Sequence, residues 1–325
     1  MTGEPQDVIS VGLDGSAASL SAARWAAAVS RQRGARLRLV HAWEPPPTGG
    51  RPGEPDESPR ATEARRVLEE AREEVRRVAP DLPVEDSLIE DDPGAALLAV
   101  AKESQALALG THGMRRLQSF FLGGTSLHVV ARAERPVILV RAGGDGVEAA
   151  EAAEAEEAAE AAGADTAPTV QETTHRGAHE WTRPPGPVVV GLPLDHTADR
   201  LLEFAFTAAD GSDLPLRVIH GAKLPRHAYL PGGPVIPHLA DEFRRNIEQE
   251  MRSLVNPWSD RFPDVQTKGS LRLDNPAGAL VQEAAGAALL VVGRSRRRRV
   301  GARVGSVAQA AVHHAACPVA IVPHD

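Results

Sequence analysis

The sequence contains one series of short segments twice, in the same order and at a nearly constant separation. Gly12, in Val-Gly-Leu, recurs as Gly191 after 179 positions, and His41 recurs as His220 at the same separation. Three further landmarks repeat at 182 or 183 positions: Pro93 as Pro276, Gly110 as Gly293, and Pro136 as Pro318. Ordered repetition of this kind predicts a duplicated domain of about 140 residues, which is an ordinary domain size.

The duplication divides the chain into two lobes and a connecting segment. We predict a first domain at 1–142, a linker at 143–186 and a second domain at 187–325. The linker begins with an Ala/Glu-rich run and continues with Pro, Thr, Gly and His. This composition favours a flexible or partly helical acidic tether, solvated as most blocks of like charge are.

Composition restricts the class of protein. Hydrophobic residues make up 42% of the chain but aromatics only 3%, so the cores must rely on Ala, Val and Leu. The net charge of −8 argues against nucleic-acid binding. Cys317 is the single cysteine, which excludes an internal disulfide and a cysteine-based metal site. Without an apolar signal core or an apolar run near the roughly 20 residues that span a bilayer, we expect a cytoplasmic protein.

Strand-like and helix-like segments alternate along each lobe. In the first lobe, apolar patterning predicts strands at 8–13, 37–43, 84–89, 107–110 and 137–141, and helices at 16–33, 61–78, 93–103 and 126–132. Gly34 suits the end of the first helix, and Pro93 the first turn of the third. The alternation predicts an α/β fold in which each lobe is a doubly wound parallel sheet covered on both faces.

Two loops of the first lobe are candidates for a ligand site. Ligands of open parallel sheets bind beyond the carboxyl ends of the strands, where the strand order reverses. The first strand ends with Gly12 and Leu13 and is followed by Asp14. The fourth leads into a loop in which thirteen positions separate Gly110 from Gly123, and long loops in compact domains tend to be functional.

The residue types in these loops suit a phosphate-bearing ligand. Gly110 and Gly113 would shape the turn, while Gly123 and Gly124 would direct main-chain N–H groups at phosphates from a helix N-terminus. Asp14 would accept hydrogen bonds from ribose hydroxyls. The plainer alternative is a set of turn glycines and capping hydroxyls. The remaining candidates are Thr125 and Ser126, as hydroxyl donors and helix caps, and His112, as a phosphate contact or a surface residue.

Together these segments resemble the universal stress protein family, in both lobes and outside the linker. The resemblance rests on the sequence at 11–16, on Leu-Val-His-Ala at 39–42, on the glycine spacing, and on Arg-Pro-Val at 135–137. It implies a five-stranded sheet in the order 3-2-1-4-5, ATP binding where the glycine motif is intact, and dimerisation through the last strand.

The resemblance also implies roles by position. Asp14 would meet the ribose and the main chain at Ala42 the adenine, with ATP held with or without Mg²⁺. Gly124 stands where the family usually has Ser or Thr, which removes one hydroxyl but keeps the N–H. The phosphates would be held by Gly110, Gly113, Gly123, Gly124, Thr125 and Ser126.

The second lobe departs from the family pattern. Pro193 stands at the position of Asp14, Arg296 replaces Gly113, and Ala308 replaces Ser126. We therefore predict that this lobe has lost ATP binding and serves as an intrachain pseudo-dimer partner, with the two last strands paired. A homodimer and an unidentified protein partner stay open.

Other features leave alternatives. No Ser-His-Asp set or Walker lysine can be placed, so we expect no enzyme, or at most weak ATP hydrolysis. A nucleotide-independent interaction module and a binder of AMP or a cyclic nucleotide are the rival functions.

We expect His41 and His220 to pack or hydrogen-bond, and Cys317 to be inert. We interpret the basic cluster as a solvated loop, with the acidic linker, a phosphorylated ligand or RNA as alternative contacts. It comprises Arg294, Arg296, Arg297, Arg298, Arg299 and Arg303.

Overall fold

The computed structural model describes residues 7–44, 59–111, 124–142, 186–230, 233–296 and 304–325. The first lobe contains strands β1 (Val8–Leu13), β2 (Arg36–Trp43), β3 (Val84–Glu90), β4 (Ala106–Thr111) and β5 (Val137–Arg141), with helices α1 (Ala17–Arg33), α2 (Pro59–Val78), α3 (Pro93–Glu103) and α4 (Gly124–Arg132). The second contains β6 (Val188–Gly191), β7 (Leu216–Gly221), β8 (Thr267–Arg272), β9 (Leu289–Ser295) and β10 (Val319–His324), with α5 (Ala198–Asp210), α6 (Pro237–Arg261), α7 (Pro276–Glu283) and α8 (Ser306–His314).

One ten-stranded sheet runs through both lobes, in the order β3-β2-β1-β4-β5-β10-β9-β6-β7-β8. Neighbouring strands within each lobe are parallel, and each lobe has the order 3-2-1-4-5. The exception is the central pair, in which β5 and β10 run antiparallel and Leu139 lies opposite Val319. The predicted α/β class and strand order are therefore confirmed, and the last strands of the two lobes join their sheets.

Local signals explain where the first helices begin and end. The Ser16 side chain caps α1 by accepting a hydrogen bond from the Ser19 N–H at 3.2 Å. Gly34 ends the same helix in the left-handed conformation, with φ of 65°. Asp92 caps α3 from the position before Pro93. Gly34 and Pro93 lie where the sequence placed them, whereas Ser16, predicted as the first helical residue, is the cap before it.

Two apolar layers cover the two faces of the sheet. One packs α1, α2, α5 and α6 against residues such as Val11 of β1 and Ala320 of β10. The other packs α3, α4, α7 and α8 against the alternate residues, such as Leu109 and Ile321. Both layers continue across the β5–β10 seam, so burial extends without interruption from one lobe to the other. Among the described residues, no helix combines the length and the apolar character that spanning a bilayer requires.

Candidate functional site

The strand order of the first lobe reverses between β1 and β4. β1 pairs with β2 on one side and with β4 on the other, where Gly12 lies opposite Leu109. After β1 the chain crosses to α1 on one face and after β4 to α4 on the other, and open sheets of this kind bind ligands in the crevice expected at such a point, beyond the carboxyl ends of the strands. Asp14 follows β1 at this edge of the sheet, and Thr111 is the last residue of β4.

A tight turn holds Asp14 at the edge. Its Oδ1 atom accepts a hydrogen bond from the Ser16 N–H at 3.0 Å, while the side chain stays exposed. Gly15 between them has φ of +80°, a conformation that favours glycine. Because Ser16 also caps α1, the turn, the helix start and the carboxylate form one rigid unit.

The residues before Asp14 shape the crevice from inside the sheet. A Cβ atom at Gly12 would lie 2.6 Å from Leu109 Cδ2 and 2.9 Å from Leu97 Cδ2, so a larger residue would require these two leucine side chains to shift. Leu13 is buried, and its carbonyl oxygen lies 2.8 Å from His41 Nδ1. Both residues contribute through backbone and packing.

Gly110 lies within β4, as the predicted strand at 107–110 has it, and the strand continues one residue further to Thr111. It pairs with Val140 of β5, and a Cβ atom there would lie 2.3 Å from the Ala18 carbonyl carbon and oxygen in the first turn of α1. The glycine therefore allows the start of α1 to rest on the end of β4, which brings the two candidate loops together.

The end of β2 forms a third wall of the crevice. Ala42 is half-buried and pairs with Ile89 of β3, one residue beyond His41. Its main chain lies at the carboxyl end of the sheet, the location that the family resemblance assigns to adenine.

The first turn of α4 contains three of the proposed phosphate contacts. The helix begins at Gly124, so Thr125 and Ser126 lie inside its first turn; the prediction of a helix starting at 126 with these hydroxyls as its caps was wrong. Gly124 and Thr125 are exposed, and a Cβ atom at Gly124 would meet no atom within 4 Å. Three other predicted site residues lie outside the described residues: His112, Gly113 and Gly123.

Comparison with known proteins identifies the family. The model of the Universal stress protein family matches residues 7–141 and 184–323. The chain belongs to this family. Universal stress protein Rv1996 of Mycobacterium tuberculosis is 30% identical over 346 residues, which cover 98% of this chain and 96% of that protein.

A solved universal stress protein of matching length shares the fold. The crystal structure of one from Archaeoglobus fulgidus DSM 4304 covers 99% of this chain and 100% of its own, with a TM-score of 0.64 and 13% identity. A universal stress protein in complex with cAMP covers 43% of this chain and 100% of its own, with a TM-score of 0.34 and 21% identity.

The second universal stress protein lobe retains a crevice at the equivalent edge of its sheet. It encloses about 580 Å³ of empty space, part of it open solvent, and its walls include Pro193 and His324. A Cβ atom at Gly293 would lie 2.9 Å from His324 Cδ2 and Nε2. The imidazole thus lies beside the strand end where, in the first lobe, the backbone of Ala18 lies beside Gly110.

Asp195, two residues beyond Pro193, makes in the second lobe the same kind of turn that Asp14 makes in the first. Its Oδ1 atom accepts a hydrogen bond from the Thr197 N–H at 2.8 Å, two residues on, as Asp14 does from Ser16. The Thr197 hydroxyl donates to the same oxygen, and these bonds lower the pKa of Asp195. This turn lies further from its strand than Asp14 does from β1, because the loop between β6 and α5 is longer than its counterpart.

The other substituted positions also have structural partners. Arg296, in place of Gly113, forms a two-point ion pair with Asp325, with both N–O distances 2.7 Å. Ala308, in place of Ser126, is buried. Arg296 thus directs its guanidinium toward the end of β10, where it pairs with a carboxylate.

The interpretation of the basic cluster as a solvated loop is wrong for Arg294. This side chain is only 5% exposed and donates hydrogen bonds to main-chain carbonyls of the first lobe. The cluster's residues 297–299 and 303 lie outside the described residues, as does the linker through residue 185. The sequence did not predict the burial of Arg294, because a run of arginines does not indicate that its first residue contacts another lobe.

Single residues noted in the sequence have defined environments. His41 and His220 each hydrogen-bond to a carbonyl through Nδ1, as expected. Cys317 is buried, and burial raises the pKa of its thiol to about 11. In the parts of the chain that the structure describes, no group of three or more His, Cys, Asp or Glu residues could hold a metal ion.

Proposed function

We propose that the first lobe binds ATP, with or without Mg²⁺, and that its occupancy regulates an interaction with a protein partner in a cytoplasmic stress response. The observation that carries this proposal is the turn after β1. The Ser16 N–H holds the exposed Asp14 carboxylate at the point of strand reversal, where ligands of such sheets bind. A fixed acceptor at this place suits the hydroxyls of a ribose.

The first turn of α4 complements this acceptor. The N–H groups that start a helix have no intrahelical partners, and the helix dipole favours an anion there. Gly124 leaves open space at that turn, and Thr125 offers an exposed hydroxyl. The ligand that fits both ends of this arrangement has a sugar with free hydroxyls and a phosphate chain.

We propose that the second lobe is a pseudo-dimer partner. It joins the first through the antiparallel β5–β10 pair, so one chain contains a symmetric arrangement of two similar lobes. Its Arg296 is paired with Asp325, and its crevice holds His324 beside Gly293. We therefore expect ATP to bind at one site per chain. Its binding would regulate the interaction with a protein partner, without ATP hydrolysis as the function.

Calorimetric titration of ATP into nucleotide-stripped protein, with and without Mg²⁺, tests the proposal. We expect one site per chain. Asp14→Ala should weaken binding at least about tenfold, since it removes a charged hydrogen-bond acceptor worth roughly 1.5–3 kcal/mol. Asp14→Asn can keep the turn to Ser16 and should weaken binding less.

Asp195→Ala is the matched control, because it removes the same kind of turn from the second lobe. It should leave ATP affinity within about twofold of wild type. Gly113→Arg, which copies Arg296 into the first lobe, should abolish binding. Failure of the wild-type protein to bind ATP would contradict the proposal and favour a nucleotide-independent interaction module.

The same titration with AMP and cAMP separates the ligands. Tighter binding of either than of ATP would replace ATP in the proposal. Mg²⁺-dependent phosphate release well above background, abolished by Asp14→Ala, would instead support a weak ATPase.

A further inference from the structure

A buried arginine of the second lobe contacts the end of a helix in the first. Arg294, in β9, donates from Nη1 to the Ala131 carbonyl oxygen at 2.8 Å and from Nη2 to that of Ala133. These carbonyls belong to the C-terminal end of α4 and the residue that follows it. The side chain is 5% exposed, so the contact is shielded from water.

The chemistry of this contact favours a fixed helix position. The last carbonyls of a helix lack intrahelical partners, and a cation there interacts favourably with the helix dipole. The planar guanidinium can satisfy two carbonyls at once and stays charged when buried. These two oxygens compensate its burial in part, since Nη1 and Nη2 have acceptors while the buried Nε has none among the described residues. Separation of Arg294 from α4 would leave the whole buried charge without acceptors.

The helix that Arg294 holds is the one whose other end contains Gly124, Thr125 and Ser126. It has nine residues and a length of about 13 Å. Its own Val129 and Val130 are fully buried. The buried residues lie in the C-terminal half of the helix, so this packing and the contact with Arg294 set the direction of the helix axis and with it the place of the exposed N-terminal turn.

A reciprocal contact runs the other way. Arg141, at the end of β5, donates to the carbonyl oxygens of Val312 at 3.4 Å and His313 at 3.2 Å, in the last turn of α8. The two arginines occupy different strands of their lobes, since Arg294 belongs to the fourth and Arg141 to the fifth. Arg294 lies 2.8 Å from the Ala131 oxygen and is buried, whereas Arg141 lies 3.2 Å from the His313 oxygen and is half-buried. The contact from the second lobe to α4 is therefore the tighter of the two.

We propose that Arg294 is a positioning residue through which the second lobe sets the nucleotide affinity of the first. It fixes α4 so that its first turn meets the phosphates in a single position. This inference rests on the proposed function for the ligand, although the constraint on α4 is a property of the protein alone. Positioning of α4 would also be a role for the second lobe that does not require it to bind ATP.

Hydrogen exchange of the α4 amides and calorimetric ATP affinity, on the full chain, test the proposal together. Arg294→Met removes the charge but fills similar space, and we expect α4 to exchange about tenfold faster and ATP to bind roughly three- to tenfold more weakly. Arg294→Lys keeps a point charge that cannot span both carbonyls and should give intermediate values. Arg141→Met is the matched control: it should accelerate exchange in α8 and leave α4 exchange and ATP affinity within about twofold.

The outcomes are separable. If wild-type protein binds no ATP, the proposed ligand is wrong, and α4 exchange alone decides whether Arg294 positions the helix. A lower melting temperature for Arg294→Met, with α4 exchange and ATP affinity unchanged, would reduce Arg294 to an ordinary interface residue. Equal acceleration of α4 by both methionine variants would also overturn the proposal, because it would mean a general loosening of the seam.

Discussion

The Nδ1 atom of His41 lies 2.8 Å from the carbonyl oxygen of Leu13, which ties the end of β2 to the end of β1. His220 makes the same contact with Leu192 at the same distance in the second lobe. A carbonyl oxygen only accepts, so Nδ1 of His41 is the donor. The two lobes differ at several glycine-loop positions but keep this bond, which holds the strand end immediately before Asp14.

Replacement of His41 by Leu should lower the free energy of unfolding by about 1 kcal/mol and weaken ATP binding, because the Leu13 carbonyl loses its side-chain donor. His41→Asn, whose amide can reach the Nδ1 position, should preserve more of both. Urea unfolding and calorimetry measure the two effects. His220→Leu should lower stability similarly while leaving ATP affinity near wild type; equal loss of affinity in both leucine variants would contradict this assignment.

Much of the fold could be predicted because its signals are local or repeated. Gly34 and Pro93 mark helix boundaries through the backbone conformations they support, and the structure places both at those boundaries. The strand order followed from the family resemblance. The boundaries that shifted were at loops: β4 continues to Thr111 and α4 begins at Gly124, since neither end has a strong stop signal in the sequence.

Two features that the sequence did not reveal depend on how loops and lobes are arranged in the fold. The turn at Asp195 depends on the geometry of a loop that has more residues than its counterpart. Arg294 is buried because it meets the carbonyls of α4 in the other lobe, 163 positions earlier in sequence for Ala131. Such contacts depend on how the two lobes pack against each other, and periodic patterns in the sequence do not predict them.

Gly110→Ala should be markedly destabilising, because the added methyl group would lie 2.3 Å from the Ala18 backbone. Backbone cannot move aside as a flexible side chain can, so we expect a loss of about 1–3 kcal/mol or more in urea unfolding. Gly124→Ala is the control: its methyl group would meet nothing within 4 Å, and stability should stay the same or rise by up to about 1 kcal/mol. Equal stability of the two variants would show that α1 does not rest on Gly110.

Cys317 should resist alkylation in the native protein. Burial raises its thiol pKa to about 11, so at about pH 8 roughly a thousandth of it is thiolate, compared with about a quarter for an ordinary cysteine. Iodoacetamide labelling followed by mass spectrometry should be slow in buffer and fast in denaturant. Rapid modification of native protein at neutral pH would contradict the burial of this residue beneath the sheet.

His324 should make the protein less stable in mild acid. Burial lowers the pKa of His324, although the Asp195 carboxylate partly opposes that shift. The unfolded chain therefore binds a proton at a higher pH than the folded chain does, and stability falls as the pH drops through the ordinary histidine pKa. Urea unfolding at about pH 8 and about pH 5 should show a smaller pH effect for His324→Phe than for wild type. Burial also lowers the pKa of His313, but this residue is present in both wild type and His324→Phe. The difference between the two proteins in how the free energy of unfolding changes with pH therefore reports on His324. An identical pH dependence of the free energy of unfolding in the two proteins would contradict the prediction, because it would mean that the His324 imidazole ionises as easily in the folded chain as in the unfolded one.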